Sequence, residues 1–358
     1  MTSDNYEAAS NRTEAVAQFR ESRRGALARV QHALHVNPAL VPLFVLLVSI
    51  AVFGALLGSR FFSPFALTLI LQQVQIVGIV AAAQSLVILT AGIDLSVGAI
   101  AVISSVVMGQ FTFRYGVPVG LSVAIGLALG TAIGALNGFL VARMKLPPFI
   151  VTLGMWQIVL AANFLYSANE TIRSQEIEAE APLLQFLGTT FKLGAGADGR
   201  GGATFTYGVI VMVLIVVLLA YVLRQTAWGR HVYAVGDDPE AAQLSGVNVN
   251  RTIISVYALT GFICAIAGWA LIGRIGSVSP TSGQLLNIES ITAVVIGGIS
   301  LFGGRGSIAG TFFGALIVGV FTLGLRLAGA DAQWTYLLIG VLIIGAVAVD
   351  QWIRKVSA

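Results

Sequence analysis

Two carboxylates are the first candidates for chemistry in this chain. Asp94 and Glu289 are the only acids inside or bordering its apolar runs, away from loops and tails. A carboxylate in a bilayer is costly, so it faces a cavity or finds a donor. Each can line or gate a polar path. Each also opens an apolar run, where it can take hydrogen bonds from free backbone N–H groups. For Asp94 capping is the stronger reading, because Leu95, Ser96 and Val97 start a new helix directly after it. The two roles can coexist. Amides form a second group. Gln72, Gln73, Gln75 and Gln84 share one run, and Asn137 lies on another beside Gly138. Amides suit sugar hydroxyls, yet they also bridge helices. Bridging is the stronger reading for any single one; together the glutamines make a polar face.

A third cluster is Asp237, Asp238, Pro239, Glu240, Ala241 and Ala242, followed by Leu244 and Gly246. Asp238 fits an N-cap, Pro239 the first helical position and Gly246 the stop. This predicts an exposed helix of about two turns. Such a short helix is marginal in water by itself. It therefore packs on the chain's own surface or docks a cytoplasmic partner.

Other chemistry is excluded. A phosphate-binding loop needs glycine before its lysine, but Lys145, Lys192 and Lys355 follow Met144, Phe191 and Arg354. Any ATP and magnesium must be bound by another chain. His32 and His35 lie in the N-terminal tail and His231 in an inner loop, so no Ser-His-Asp set forms. Cys264 is the single cysteine, which rules out an internal disulfide or a cysteine-based metal site. No residue is assigned a catalytic or metal-binding role, and the chain is not expected to be an enzyme.

The elements that position these residues are membrane helices. The chain has 358 residues, 57% hydrophobic and 10% charged, against about a quarter charged in soluble domains. Its net charge of +4 marks topology rather than nucleic-acid binding, because the basic residues sit at the ends of apolar runs. Membrane helices of ~20 residues are predicted over 39–58, 117–141, 148–167, 207–223, 252–273, 306–325 and 333–349. Residues 65–113 read as two helices broken near Gly92, Ile93 and Asp94. Residues 276–304 read as a polar connection and one short helix. The expected fold is all-α, with about ten crossings.

The basic residues favour both termini in the cytoplasm. The inside then holds Arg12, Arg20, Arg143, Lys145, Arg224, Arg230, Arg251, Arg305, Arg354 and Lys355, among others. Residues 1–38 form a cytoplasmic tail, read as a solvated or interfacial helix. It shows no cleavable signal. Residues 39–350 form the membrane domain, with a periplasmic loop at 168–206 and a cytoplasmic loop at 224–251. Residues 351–358 are a cytoplasmic C-terminus. Gly126, Gly130, Gly134 and Gly138 recur every four residues, as do Gly306, Gly310 and Gly314. Such stripes are helix-packing faces. They fall on the fourth and ninth helices, so helices two to five are expected to repeat, inverted, as helices seven to ten.

Several motifs now converge. The run Ala91-Gly92-Ile93-Asp94-Leu95-Ser96-Val97-Gly98 resembles the signature of bacterial monosaccharide permeases of the ribose, xylose and arabinose type. So do Lys145 through Gly154, Gly229 through Gly236, Ala293 through Gly298, and Gly303-Gly304-Arg305-Gly306-Ser307, in order. The resemblance covers about residues 40–350. It implies the transmembrane subunit of an ATP-binding-cassette importer in the inner membrane. It also implies a second permease, either another copy or a related chain, a periplasmic sugar-binding protein outside, and two nucleotide-binding domains inside, often fused as tandem domains of one ATPase chain. The 224–251 loop would be the coupling element. In the alternating-access mechanism expected here, the broken elements at Asp94 and Glu289, with Ser96, Asn137, Gln72, Gln73 and Gln75, would line or gate the path. The family commonly has glycine where Ala91 stands; alanine is also small, so little effect is expected. The sugar stays open, as do nucleosides or another sugar-like solute. An ion-coupled secondary transporter is the main alternative, and a membrane enzyme or receptor has least support.

Overall fold

The computed structural model describes residues 39–193 and 202–357. The tail at 1–38 and the middle of the 168–206 segment lie outside the described residues. Within them, every predicted apolar run is a helix. Seven are long and apolar enough to cross a membrane. They are α1 (Leu40–Leu57, continued by a 3-10 turn to Arg60), α2 (Pro64–Leu89), α4 (Val119–Ala142), α5 (Pro148–Ser167), α7 (Tyr207–Gln225), α10 (Val249–Ile275) and α12 (Ile308–Leu327). Three apolar helices are shorter: α3 (Val97–Phe113), α11 (Leu286–Ile296) and the Gln333–Gly345 stretch of α13 (Ala332–Ser357). The protein is an all-α polytopic membrane protein.

Side-chain-free faces hold the helices together. A Cβ on Gly261 of α10 would lie 2.1 Å from the Gly130 carbonyl oxygen, and one on Gly134 would lie 2.2 Å from that of Tyr257. Gly126 packs on Met108 of α3, and Gly138 on Ile254 of α10. On α12, Gly310 faces the Gly297 carbonyl, and Gly314 faces that of Ala293 in α11. Such backbone contact is how helices associate where lipid gives no hydrophobic drive. One predicted stripe member differs. Gly306 precedes the helix, at φ 127 against Ile299, and Ser307 caps α12 through Gly310 N at 3.1 Å.

The contacts repeat. α4 packs on α3 and α10, as α12 packs on α11 and α2. α3 touches α5 and α10, as α11 touches α13 and α2.

Two polar segments fold further than their composition foretold. Residues 168–206 hold α6 (Ser174–Glu180), a 3-10 turn over Pro182–Gly188, and the antiparallel strands β1 (Thr190–Leu193) and β2 (Ala203–Thr206). Ile177, Leu184 and Leu187 are buried. Gly188 sits so close to Gly273 of α10 that a Cβ would meet its carbonyl. Residues 224–251 hold α8 (Ala227–Asp237) before the predicted helix, which is α9 (Pro239–Leu244), shorter than the expected span to Gly246. Thr226 caps α8 through Gly229 N at 3.1 Å, and Val232 and Val235 are buried beneath it. Trp228, Val232 and Val235 at helical spacing are a sequence signal for α8.

Candidate functional site

The break between α2 and α3 is pinned from four sides. Asp94 accepts from Ser96 N at 2.7 Å and from Ser96 Oγ at 2.6 Å. Asn137 of α4 donates to Ser96 Oγ at 2.9 Å, and Thr152 of α5 to the Ile93 carbonyl at 3.0 Å. Tyr257 of α10 closes the fourth side, its hydroxyl against Gly92. Asp94 is 0% exposed; its Oδ2, Asn137 Oδ1 and the Tyr257 hydroxyl have no partner among the described residues. Asp94, Ser96 and Asn137 thus form one hydrogen-bonded chain at the foot of α3. Ala91 stands here at φ 59, in the left-handed region. The departure from glycine therefore acts through backbone conformation rather than size.

The other expected polar residues lie elsewhere. Gln75 is buried and accepts from Thr206 Oγ1, and Gln73 accepts from the Arg274 guanidinium. Gln72 is half-buried, and the fully buried amide of Gln84 has no partner among the described residues. Glu289 is half-buried near Arg274, with which it interacts electrostatically. The structure therefore does not bring these residues to the Asp94 chain.

The polar connection after α10 descends alongside α3. Gly276, at φ 78, ends α10. Val278 then pairs with Ile172 and packs at Gly109, Gly283 packs at Val102, and Asn287 Oδ1 accepts from Gly98 N at 2.6 Å. The positions 109, 102 and 98 step down α3, so the connection penetrates about 16 Å before α11 begins. Non-helical backbone at that depth is tolerated only where protein buries it or a watery cavity adjoins it. Here a partly open cavity of about 320 Å³ does adjoin it, lined by α3, α5 and residues 280–287. Trp156, Asn163, Ser282, Gln284 and Asn287 supply its polar groups. Sequence reasoning missed these residues. The available signal was Trp156, Leu160 and Asn163 at spacings of four and three on one helix face.

On the opposite side, α8 and α9 form a docked lever. Gly236 meets the end of α2 so tightly that a Cβ would lie 1.8 Å from the Leu89 carbonyl oxygen. That oxygen accepts from Gly304 N at 3.0 Å. Tyr233 donates to the Gly306 carbonyl at 3.0 Å, and Trp228 to Ser255 at 2.8 Å. Asp238 caps α9, accepting from Glu240 N at 2.9 Å and Ala241 N at 3.0 Å. Gly246 turns the chain at φ 86. Asp237, Asp238, Pro239, Glu240, Ala241 and Leu244 are exposed, Leu244 at 90%, whereas Ala242 is buried at 5%. A groove of about 700 Å³ runs beside α9, between Lys145–Pro148 and Gln243–Asn250. Among the described residues, no group of three or more His, Cys, Asp or Glu could hold a metal.

Comparison with known proteins gives a consistent picture. Residues 66–347 match the family described as branched-chain amino acid transport system / permease component. The chain is 71% identical over 343 residues to the fructose import permease protein FrcC of Rhizobium meliloti, covering 96% of this chain and 93% of that one. It is 38% identical over 320 residues to the ribose import permease protein RbsC of Bacillus subtilis (88% and 92%). It is 33% identical over 302 residues to the galactose/methyl galactoside import permease protein MglC of Escherichia coli (81% and 87%). No solved structure matches. By family match over most of its length and by relatives covered almost end to end, this chain belongs to the family of branched-chain amino acid transport system permease components.

Proposed function

We propose that this chain is the inner-membrane permease of an ATP-binding-cassette importer for a monosaccharide, with fructose the first candidate cargo. The observation that carries the reading is the α8–α9 lever. Its exposed tip residues, Glu240, Ala241, Gln243 and Leu244, are free to dock a soluble partner, and its base abuts main chain at Leu89 and Gly304. A push on α9 thus reaches the α2–α3 break and the α11–α12 connection together. The likeness to FrcC supports fructose. The importer comprises this permease, a second copy as a homodimer, an ATPase that binds ATP and magnesium, and a periplasmic binding protein.

The basic residues support both termini in the cytoplasm, and the grouping of the connections supports two distinct faces. Residues 89–92, 236–238 and 303–306 gather on one side; residues 114, 166–172, 188 and 273–278 gather on the other. The matching contact sets of α2–α5 and α10–α13 support an inverted repeat. ATP binding would move the docked lever, and the glycine-faced pairs would shift as rigid units.

Reconstitution tests the reading. With ATPase, binding protein and ATP, vesicles should accumulate fructose; the permease alone, given an ion gradient, should not. Concentrative uptake by the permease alone would refute it in favour of a secondary transporter.

A further inference from the structure

We infer that the cavity between α3, α5 and the re-entrant segment 280–287 is a sugar-binding waystation within the permease; this rests on the functional reading above. Three observations carry it. First, the segment is irregular backbone sunk beside α3, and α11 starts only at its foot. Second, Asn163 is 1% exposed and lines the cavity, and its Oδ1 has no partner among the described residues; Nδ2 is held by the Pro280 carbonyl at 2.9 Å. A buried acceptor of this kind costs stability unless something donates to it. Third, the lining is uncharged and largely apolar, with Leu160, Phe164 and Leu285 among it, and its polar groups come from Trp156, Asn163, Ser282, Gln284 and Asn287, with no Asp, Glu, Lys or Arg.

The chemistry selects the ligand class. A phosphate or a zwitterion needs a counter-charge or free helix-end N–H groups. Around the start of α3, Asp94 already accepts from Ser96 N, and Asn287 from Gly98 N. What remains are the Asn163 Oδ1 acceptor, the Asn287 Nδ2 donor, the Ser282 hydroxyl and the Gln284 amide, beside the Trp156 side chain. That set fits a neutral polyol ring, whose hydroxyls pair with amides and whose C–H face lies on an aromatic ring. A volume of about 320 Å³ is at the low end for a ligand site, as a single sugar requires. Selectivity need not rest with the binding protein alone, since this site also rejects charged solutes.

The test uses the complete importer in vesicles with radiolabelled fructose. Asn163→Leu and Gln284→Leu should lower uptake per ATP hydrolysed about tenfold or more, with binding-protein-stimulated ATP hydrolysis held within about twofold. Trp156→Phe should retain transport, and Trp156→Ala should not. As a readout independent of transport rate, Ser282→Cys is placed in a Cys264→Ala background and labelled with a maleimide. Fructose during turnover should slow labelling, and leucine should not. Unchanged uptake in Asn163→Leu, equal losses of uptake and ATP hydrolysis, or labelling indifferent to fructose would each overturn the waystation. A wild-type importer that hydrolyses ATP but moves no fructose, ribose or galactose would overturn the functional reading itself.

Discussion

Asn287 Oδ1 accepts the backbone N–H of Gly98 at 2.6 Å, joining two broken-helix segments that lie 189 residues apart in sequence. Both groups are buried. Asn287→Ala would strand the Gly98 donor away from water, at a cost of about 1–3 kcal/mol. The midpoint of thermal unfolding in detergent should fall accordingly, and an unchanged midpoint would show that the bond does not hold the two segments together.

Gly236 is the tightest point where α8 meets the end of α2. Alanine there would place its Cβ on the Leu89 carbonyl, which as backbone cannot swing aside. Overpacking of this kind costs about 1–3 kcal/mol. Gly236→Ala should therefore lose fructose uptake while α9 still binds the ATPase. Co-purification combined with uptake separates the two effects; normal uptake would contradict the lever.

At the tip of α9 the substitutions should divide by exposure. Leu244→Asp changes a residue 90% exposed, so folding is expected to be unaffected and ATPase association lost. Ala242→Trp disturbs a buried position and should lower the unfolding temperature instead. Retention of the ATPase by Leu244→Asp in a pull-down would move the docking face elsewhere.

Ala91 at φ 59 carries a left-handed penalty of about 1–2 kcal/mol. Ala91→Gly removes it, partly offset by the extra freedom of glycine in the unfolded chain, about 0.4–1 kcal/mol. A modest rise in thermal midpoint is expected, and a fall would mean the alanine methyl contributes packing that outweighs its strain.

The sequence made the membrane helices, the α2–α3 break and the capped α9 legible, because each rests on local rules: apolar length, interruption by polar residues, and an Asp-Pro start with a glycine stop. It also showed α4's glycine stripe, whose spacing alone sets a bare face. The rest needed tertiary placement. Gln73 and Gln75 bridge elements, the stronger reading for a single amide, but the partners they bridge to, Arg274 and Thr206, are remote in sequence. Gly306 keeps the stripe's spacing, yet it lies before the Ser307 cap of a helix that begins at Ile308. Asn163 gave no individual signal. Its meaning comes from Pro280, brought beside it by a descent that composition registers only as a polar gap. Residues 168–206 read as loop because short 3-10 and strand pieces carry weak periodicity.

Where Leu89, Gly236 and Gly304 meet, main chain touches main chain without a side chain between them. Side chains normally act as shock absorbers, changing rotamer to soak up small displacements. This junction has none, so a sub-ångström displacement delivered through α8 meets no rotamer that could absorb it. Under the proposed function it would displace the foot of α2 or unseat the joint, which would make this contact a stiff clutch with almost no play.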